Sequence, residues 1–99
     1  MRVLSDRDRI RVEFVIIKGK RVTAINLIQY EAEIAGKWVA VVRYDMAHGY
    51  FHRDIMRPDG TQEKLRIPYR DLTDAITEAL DYIESNWEFY RRIYEEQTK

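Results

Sequence analysis

From Arg9 to Ile17 apolar and charged side chains alternate, with Ile10, Val12, Phe14 and Ile16 on one face and Arg11 and Glu13 on the other. That is the period of a strand with one wet side. Lys18-Gly19-Lys20-Arg21 supplies a turn, and Val22 to Ile34 resumes the alternation with Thr23, Ile25 and Leu27 sharing a face. A helix over Ile25 to Ile34 competes for the same residues. After a second turn at Ala35-Gly36-Lys37, Trp38 to Asp45 is apolar on both faces at first, as expected of a strand in the middle of a sheet. A connection through Met46-Ala47-His48-Gly49 leads into a strand from Tyr50 to Arg57. Pro58-Asp59-Gly60 then turns the chain, Pro presetting its φ and Gly tolerating a positive one, and Thr61 to Ile67 returns as the partner strand.

The period changes beyond Pro68. Asp71 is placed to cap a helix, Asp74 sits in the first turn near the positive end of the dipole, and the pattern continues to about Glu96. Leu72, Ala75, Ile76, Ala79, Leu80, Ile83, Trp87, Tyr90 and Tyr94 recur at three and four, which lines one face. At ~1.5 Å per residue the element spans roughly 37 Å. Tyr82, Phe89 and Ile93 add a second stripe, so the last turns are apolar over a wider arc than one sheet buries. A homodimer formed through this helix, or an N-terminal segment folded back onto it, would provide the cover. The expected fold is one α+β domain over residues 1–99: an antiparallel meander of four to five strands with one long C-terminal amphipathic helix packed on one face.

Composition narrows the function classes. With no cysteine, a disulfide framework, an Fe–S cluster, a thiolate zinc site and a cysteine nucleophile are all excluded, and packing alone must hold the core. The first residues lack the apolar run of a secretory signal and no stretch approaches membrane-spanning length, so the expected location is cytoplasmic, with no membrane partner. A third of the residues are charged, Asn and Gln are few, and Ile, Tyr and Arg are plentiful, a composition seen in proteins of hot environments. Net charge is zero, yet residues 1–21 carry seven basic and three acidic side chains while residues 71–99 carry three and eight. Such ends suit each other or a charged partner.

One segment departs from ordinary strand composition: Arg43-Tyr44-Asp45-Met46-Ala47-His48-Gly49-Tyr50-Phe51-His52-Arg53-Asp54, which contains both histidines of the chain. A tight hairpin would gather Asp45, His48, His52 and Asp54 around one mouth. Two imidazoles near their natural pKa suit general acid-base chemistry on a phosphodiester, with His48 and His52 moving protons and Asp45 orienting an imidazole. Arg43 and Arg53 would then neutralise phosphate, and Tyr44 and Tyr50 would stack on bases, as metal-free RNA binding is usually built. Arg57, Lys64, Arg66 and Arg70 stand nearby. The same imidazoles and carboxylates also suit a metal, but His-x-x-x-His has defined geometry only on a helix, so no metal ligand and no cofactor is assigned. The competing structural reading pairs Asp45 and Asp54 with Arg43 and Arg53 in an exposed charge ladder.

Trp38, Arg43-Tyr44-Asp45-x-Ala47-His48-x-x-x-His52-x-Asp54, the Pro-Asp-Gly turn and the Leu-x-x-Ala-Ile start of the helix together resemble the TumE-type toxins of prokaryotic toxin-antitoxin pairs, over roughly residues 38–83. That family tends to carry a Pro-His-His-x-His cluster where this chain has His52-Arg53-Asp54. The resemblance implies a small α+β protein that inhibits growth by acting on RNA and is neutralised by an antitoxin. Arg43, Asp45, His48 and His52 are the matching positions. The leading expectation is therefore a toxin-like protein that binds RNA, with cleavage as a further step. A non-catalytic homodimeric interaction module using the C-terminal helix and a small metal-dependent hydrolase are the alternatives, so whether the chain is an enzyme stays open.

Overall fold

The alternating segments are strands throughout. A computed structural model, which describes residues 1–17, 21–46 and 49–98, contains β1 (Arg2–Ser5), β2 (Asp8–Ile17), β3 (Arg21–Ile34), β4 (Lys37–Asp45), β5 (His52–Met56), β6 (Gln62–Arg66) and one helix, α1 (Leu72–Gln97). Every neighbouring pair is antiparallel and the spatial order is β1-β2-β3-β4-β5-β6, an open meander with β3 and β4 at its centre. The fold is α+β, with six strands instead of four to five because Arg2–Ser5 adds an edge strand. The N-terminal segment thus pairs with β2 and does not fold back over the helix, though Arg2 reaches across to Glu84. The helical alternative for Ile25 to Ile34 fails, since β3 has strand partners on both sides there and β-branched residues suit the pleat.

Asp71 caps α1 as its position predicts, accepting the Asp74 backbone N–H at 2.8 Å. The helix lies across one face of the sheet, chiefly over β3 and β4, and Ala75, Ala79 and Ile83 are fully buried against Ile10, Ile28, Tyr30, Ala32 and Val42. Trp87 meets Tyr30 edge-on with centroids 6.1 Å apart. Tyr90 and Tyr94 of the main stripe pack against the core; of the second stripe Tyr82 does so too, joined to Tyr90 through their hydroxyls, while Phe89 is left about half exposed. The excess arc that motivated a homodimer through the helix is thus filled from within the chain at Tyr82 and open at Phe89.

Register shifts decide which apolar positions are used. Glu13 faces Leu27 but Phe14 faces Ile25, so Asn26 bulges from β3 and the expected shared face of Ile25 and Leu27 is broken. Ile25 is buried beside Ile28, while Leu27 is half-buried. β4 pairs only with Ile28–Ile34 of β3, so the outer parts of β2 and β3 project as a two-stranded arm beyond the helix. Phe14, Val15 and Ile16 are exposed there, at 41%, 41% and 53%.

A buried polar cluster pins the far half of α1. The Arg91 guanidinium donates to Asp8 Oδ1 at 2.7 Å and to the Glu33 carbonyl at 2.8 Å, while Tyr30 and Ser5 hydroxyls each donate to Asp8 at 2.5 Å. Burial alone would raise the Asp8 pKa, but the donors from Ser5, Tyr30 and Arg91 outweigh it and hold the carboxyl below its usual range. Burial and the adjacent Asp8 push the Tyr30 hydroxyl far upward.

Candidate functional site

Strand alternation puts opposite chemistry on the two faces of the sheet. The face away from α1 is polar. One cross-strand rung runs Arg11, Gln29, Arg43, Asp54, Lys64 over β2 to β6, and the next runs Asp45, His52, Arg66 over β4 to β6. Although no helix among the described residues covers this face, Gln29, Glu31, His52 and Asp54 are buried by their neighbours. Arg9 donates to Glu31 at 2.7 Å and lies 3.8 Å over the Trp38 ring; Gln29 donates to Glu31 at 2.6 Å and accepts from Arg43 at 2.7 Å. Burial would raise the Glu31 pKa, but the Arg9 and Gln29 hydrogen bonds prevail and lower it.

At the β5 end of this face Asp45, His52 and Asp54 converge, with one ligand-type atom from each lying within 4.8 Å of the others. His52 Nε2 is 2.9 Å from Asp45 Oδ1 and 3.4 Å from Asp54 Oδ2. His52 Nδ1 is 3.2 Å from the Tyr50 carbonyl oxygen. Both ring nitrogens thus face acceptor oxygens, Nδ1 the Tyr50 carbonyl and Nε2 the two carboxylates, and these contacts set the ring's orientation. Lys64 Nζ is 3.6 Å from Asp54 Oδ1, an oxygen that is buried without a hydrogen-bond partner. The Tyr50 ring lies 5.3 Å from the imidazole, and Arg66 stacks over Tyr50 at 5.1 Å.

Two cavities flank the cluster. One of about 330 Å³ is bordered by Ala24, Ile25, Asn26, Asp45 and Met46. The other, about 270 Å³, lies between Gly49, Tyr50 and Phe51 on one side and Arg66 to Tyr69 on the other. Solvent thus approaches Asp45, Tyr50 and Arg66, while the imidazole itself is only 1% exposed.

Of the residues expected to act together, Asp45 and His52 are in contact, and Arg43 and Tyr50 lie beside them. His48 lies outside the described residues. Arg53 and Tyr44 belong to the other face: Arg53 sits 4.4 Å over the Tyr82 ring of α1, and Tyr44 is buried in a stack with Phe51 at 5.5 Å. Their positions one residue out of step with Asp45 and His52 dictate this, because each single step along a strand reverses the face. Arg57 and Arg70 are likewise elsewhere, engaged with Glu63 and Asp74. Asp54, Lys64 and Arg66 complete the cluster, and Gln29 and Glu31 extend it. The signal for Gln29 and Glu31 was available as two polar residues in step within a β-branched strand.

The chain belongs to the DUF7718 family, a domain of unknown function, which matches it over residues 1–99. No curated protein matches it, and no solved structure does.

Proposed function

We propose that this member of the DUF7718 family is a toxin-like protein that binds RNA on the polar face of its sheet and cleaves it at the Asp45–His52–Asp54 corner. The carrying observation is the pair of adjacent rungs in which the Asp45–His52–Asp54 cluster is flanked by Arg43, Lys64 and Arg66 on the same face. Cations in adjacent rungs suit successive phosphates, and Tyr50 offers an aromatic surface for a base. Asp45 and the Tyr50 carbonyl hold the imidazole in one orientation, the preorganisation that proton transfer or substrate positioning requires. The roles first expected of Arg53 and Tyr44 pass to Lys64 and Arg66.

The test is cleavage of a fluorescent single-stranded RNA by the full chain, alongside growth arrest on its expression. Asp45→Asn should reduce cleavage about 10²-fold or more, the usual scale for losing a positioned acid-base group. Arg43→Ala and Arg66→Ala should each weaken binding and flatten its dependence on salt by roughly 0.7 for each phosphate no longer neutralised. A chain that neither binds RNA at low salt nor arrests growth refutes the reading.

A second reading, a homodimer, is favoured by the projecting arm. Its exposed Phe14, Val15 and Ile16 are followed in sequence by the basic stretch Lys18-Gly19-Lys20-Arg21, and a second copy offers the acidic helix as a complement. Sedimentation should show a dimer that Ile16→Asp converts to monomer; a monomer throughout removes it.

A further inference from the structure

We infer that the cleft between the far half of α1 and β5 binds a small organic carboxylate, an anion with an apolar body, through Arg53. Strand parity puts Arg53, Ile55 and, just beyond the strand's end, Arg57 on the α1 side of the sheet, but the helix packs chiefly over β3 and β4. A cavity of about 240 Å³ is left in the wedge between them. Val41, Ile55, Met56, Ile93 and Tyr94 give it an apolar wall, while Arg53, Arg57 and Tyr90 bring polar groups to it. Its volume falls below the roughly 300–1,000 Å³ of a drug-sized site, so the body it takes is small.

Arg53 supplies a second observation, independent of the cavity. Its guanidinium stacks 4.4 Å over the Tyr82 ring and donates to the Tyr44 hydroxyl, yet Nε is buried without a hydrogen-bond acceptor. No carboxylate among the described residues pairs with it. Glu63, at the rim, is engaged with Arg57 at 3.4 Å, and Glu78 borders a smaller cavity of about 130 Å³ beside Arg53 without pairing with the guanidinium. The Tyr82 and Tyr90 hydroxyls bond to each other. A half-buried cation set among phenols lacks the counter-charge that burial normally demands. A carboxylate matches it, because two oxygens fit the planar fork of Nε and one terminal nitrogen. Nε is closed to water, so the fork meets the ligand by a small turn of a side chain that already borders the cavity.

The site is independent of the RNA reading, since Arg53 lies on the face opposite Arg43 and His52. In the test, the full chain is titrated with sodium octanoate and with sodium phenylacetate by calorimetry, and amide shifts are followed in ¹H–¹⁵N correlation spectra. Octan-1-ol and 2-phenylethanol serve as the neutral counterparts. Saturable binding at one site per chain is expected, with the largest shifts at Arg53 to Arg57 and Tyr90 to Gln97. A preference for octanoate identifies an aliphatic body, and a preference for phenylacetate an aromatic one. The alcohols should bind about tenfold more weakly or worse, the scale of a hydrogen bond to a charged group. Arg53→Met should weaken the carboxylates by a similar factor and leave the alcohols unchanged, while Arg43→Ala should change neither.

If Arg53→Met fails to fold by circular dichroism, Ile93→Trp decides the matter: it fills the cavity from the half-buried flank of the helix and should abolish binding of acid and alcohol alike. No saturation of either carboxylate by about 10 mM overturns the site. So do alcohols that bind as well as the acids, or an affinity that Arg53→Met leaves intact. Shifts confined to Arg43, Arg66 and their neighbours would place the anion on the polar face and overturn it too.

Discussion

Replacing Asp8 by Ala should unlock the far half of the helix from the sheet. Asp8 is 3% exposed and takes hydrogen bonds from Arg91, Tyr30 and Ser5, so its loss leaves the Arg91 guanidinium, itself mostly buried, with the Arg7 and Glu33 carbonyls and the half-exposed Glu95 carboxylate as its partners. Removing one member of such a buried pair costs about 3 kcal/mol or more. For a domain of this size that corresponds to a fall in Tm of roughly 12–24 °C. Urea denaturation followed by far-ultraviolet circular dichroism measures it directly.

The pH dependence has a definite sign. Because folding lowers the Asp8 pKa, its contribution is complete above the unfolded value of about 3.9 and disappears as pH falls through the lower folded value. The stability gap between the parent and Asp8→Ala should therefore stay constant from pH 7 to about 5 and narrow in stronger acid. A gap below about 1 kcal/mol at pH 7, or one that does not narrow on acidification, would refute the account of Asp8 as the charged anchor of α1.

Ile83→Ala should cost about 2–5 kcal/mol in the same assay, since the side chain is fully buried between helix and sheet; an unchanged midpoint would misplace the helix face. Asp71→Ala should cost about 1 kcal/mol through loss of the helix cap, and Asp71→Asn much less, as read by denaturation midpoints. Arg53→Met should leave RNA affinity and its salt dependence unchanged in a binding titration, in contrast to Arg43→Ala, because Arg53 stacks on Tyr82 on the other face.

Much of the site was legible in the chain, for reasons specific to particular residues. Asp45, His52 and Asp54 could be placed together because a short connection forces adjacent antiparallel pairing, and residues two apart on one strand share a face. Parity by itself also excluded Arg53 and Tyr44 from that face, although their residue types suited phosphate and base. Lys64 and Arg66 needed the β5–β6 register, which the Pro58-Asp59-Gly60 turn signals but does not define to the residue. The pairing of Arg2–Ser5 with β2 was hidden because four residues carry too little periodicity to register as a strand.

What the sequence determined by itself is local: the strand period of the first two thirds, the turns at Ala35-Gly36 and Pro58-Asp59-Gly60, the helix from its Asp71 cap, and the apolar stripe from Leu72 to Tyr94. These follow from backbone geometry and side-chain spacing within a few residues. Tertiary structure decided which apolar residues are used and which polar ones are buried. The bulge at Asn26 separates Ile25 from Leu27, the core absorbs Tyr82 from the helix's wider arc, and Gln29, Glu31, His52 and Asp54 are enclosed on the face away from α1. Each of these depends on contacts between residues distant in the chain, where register and packing set the environment and local pattern carries no information about them.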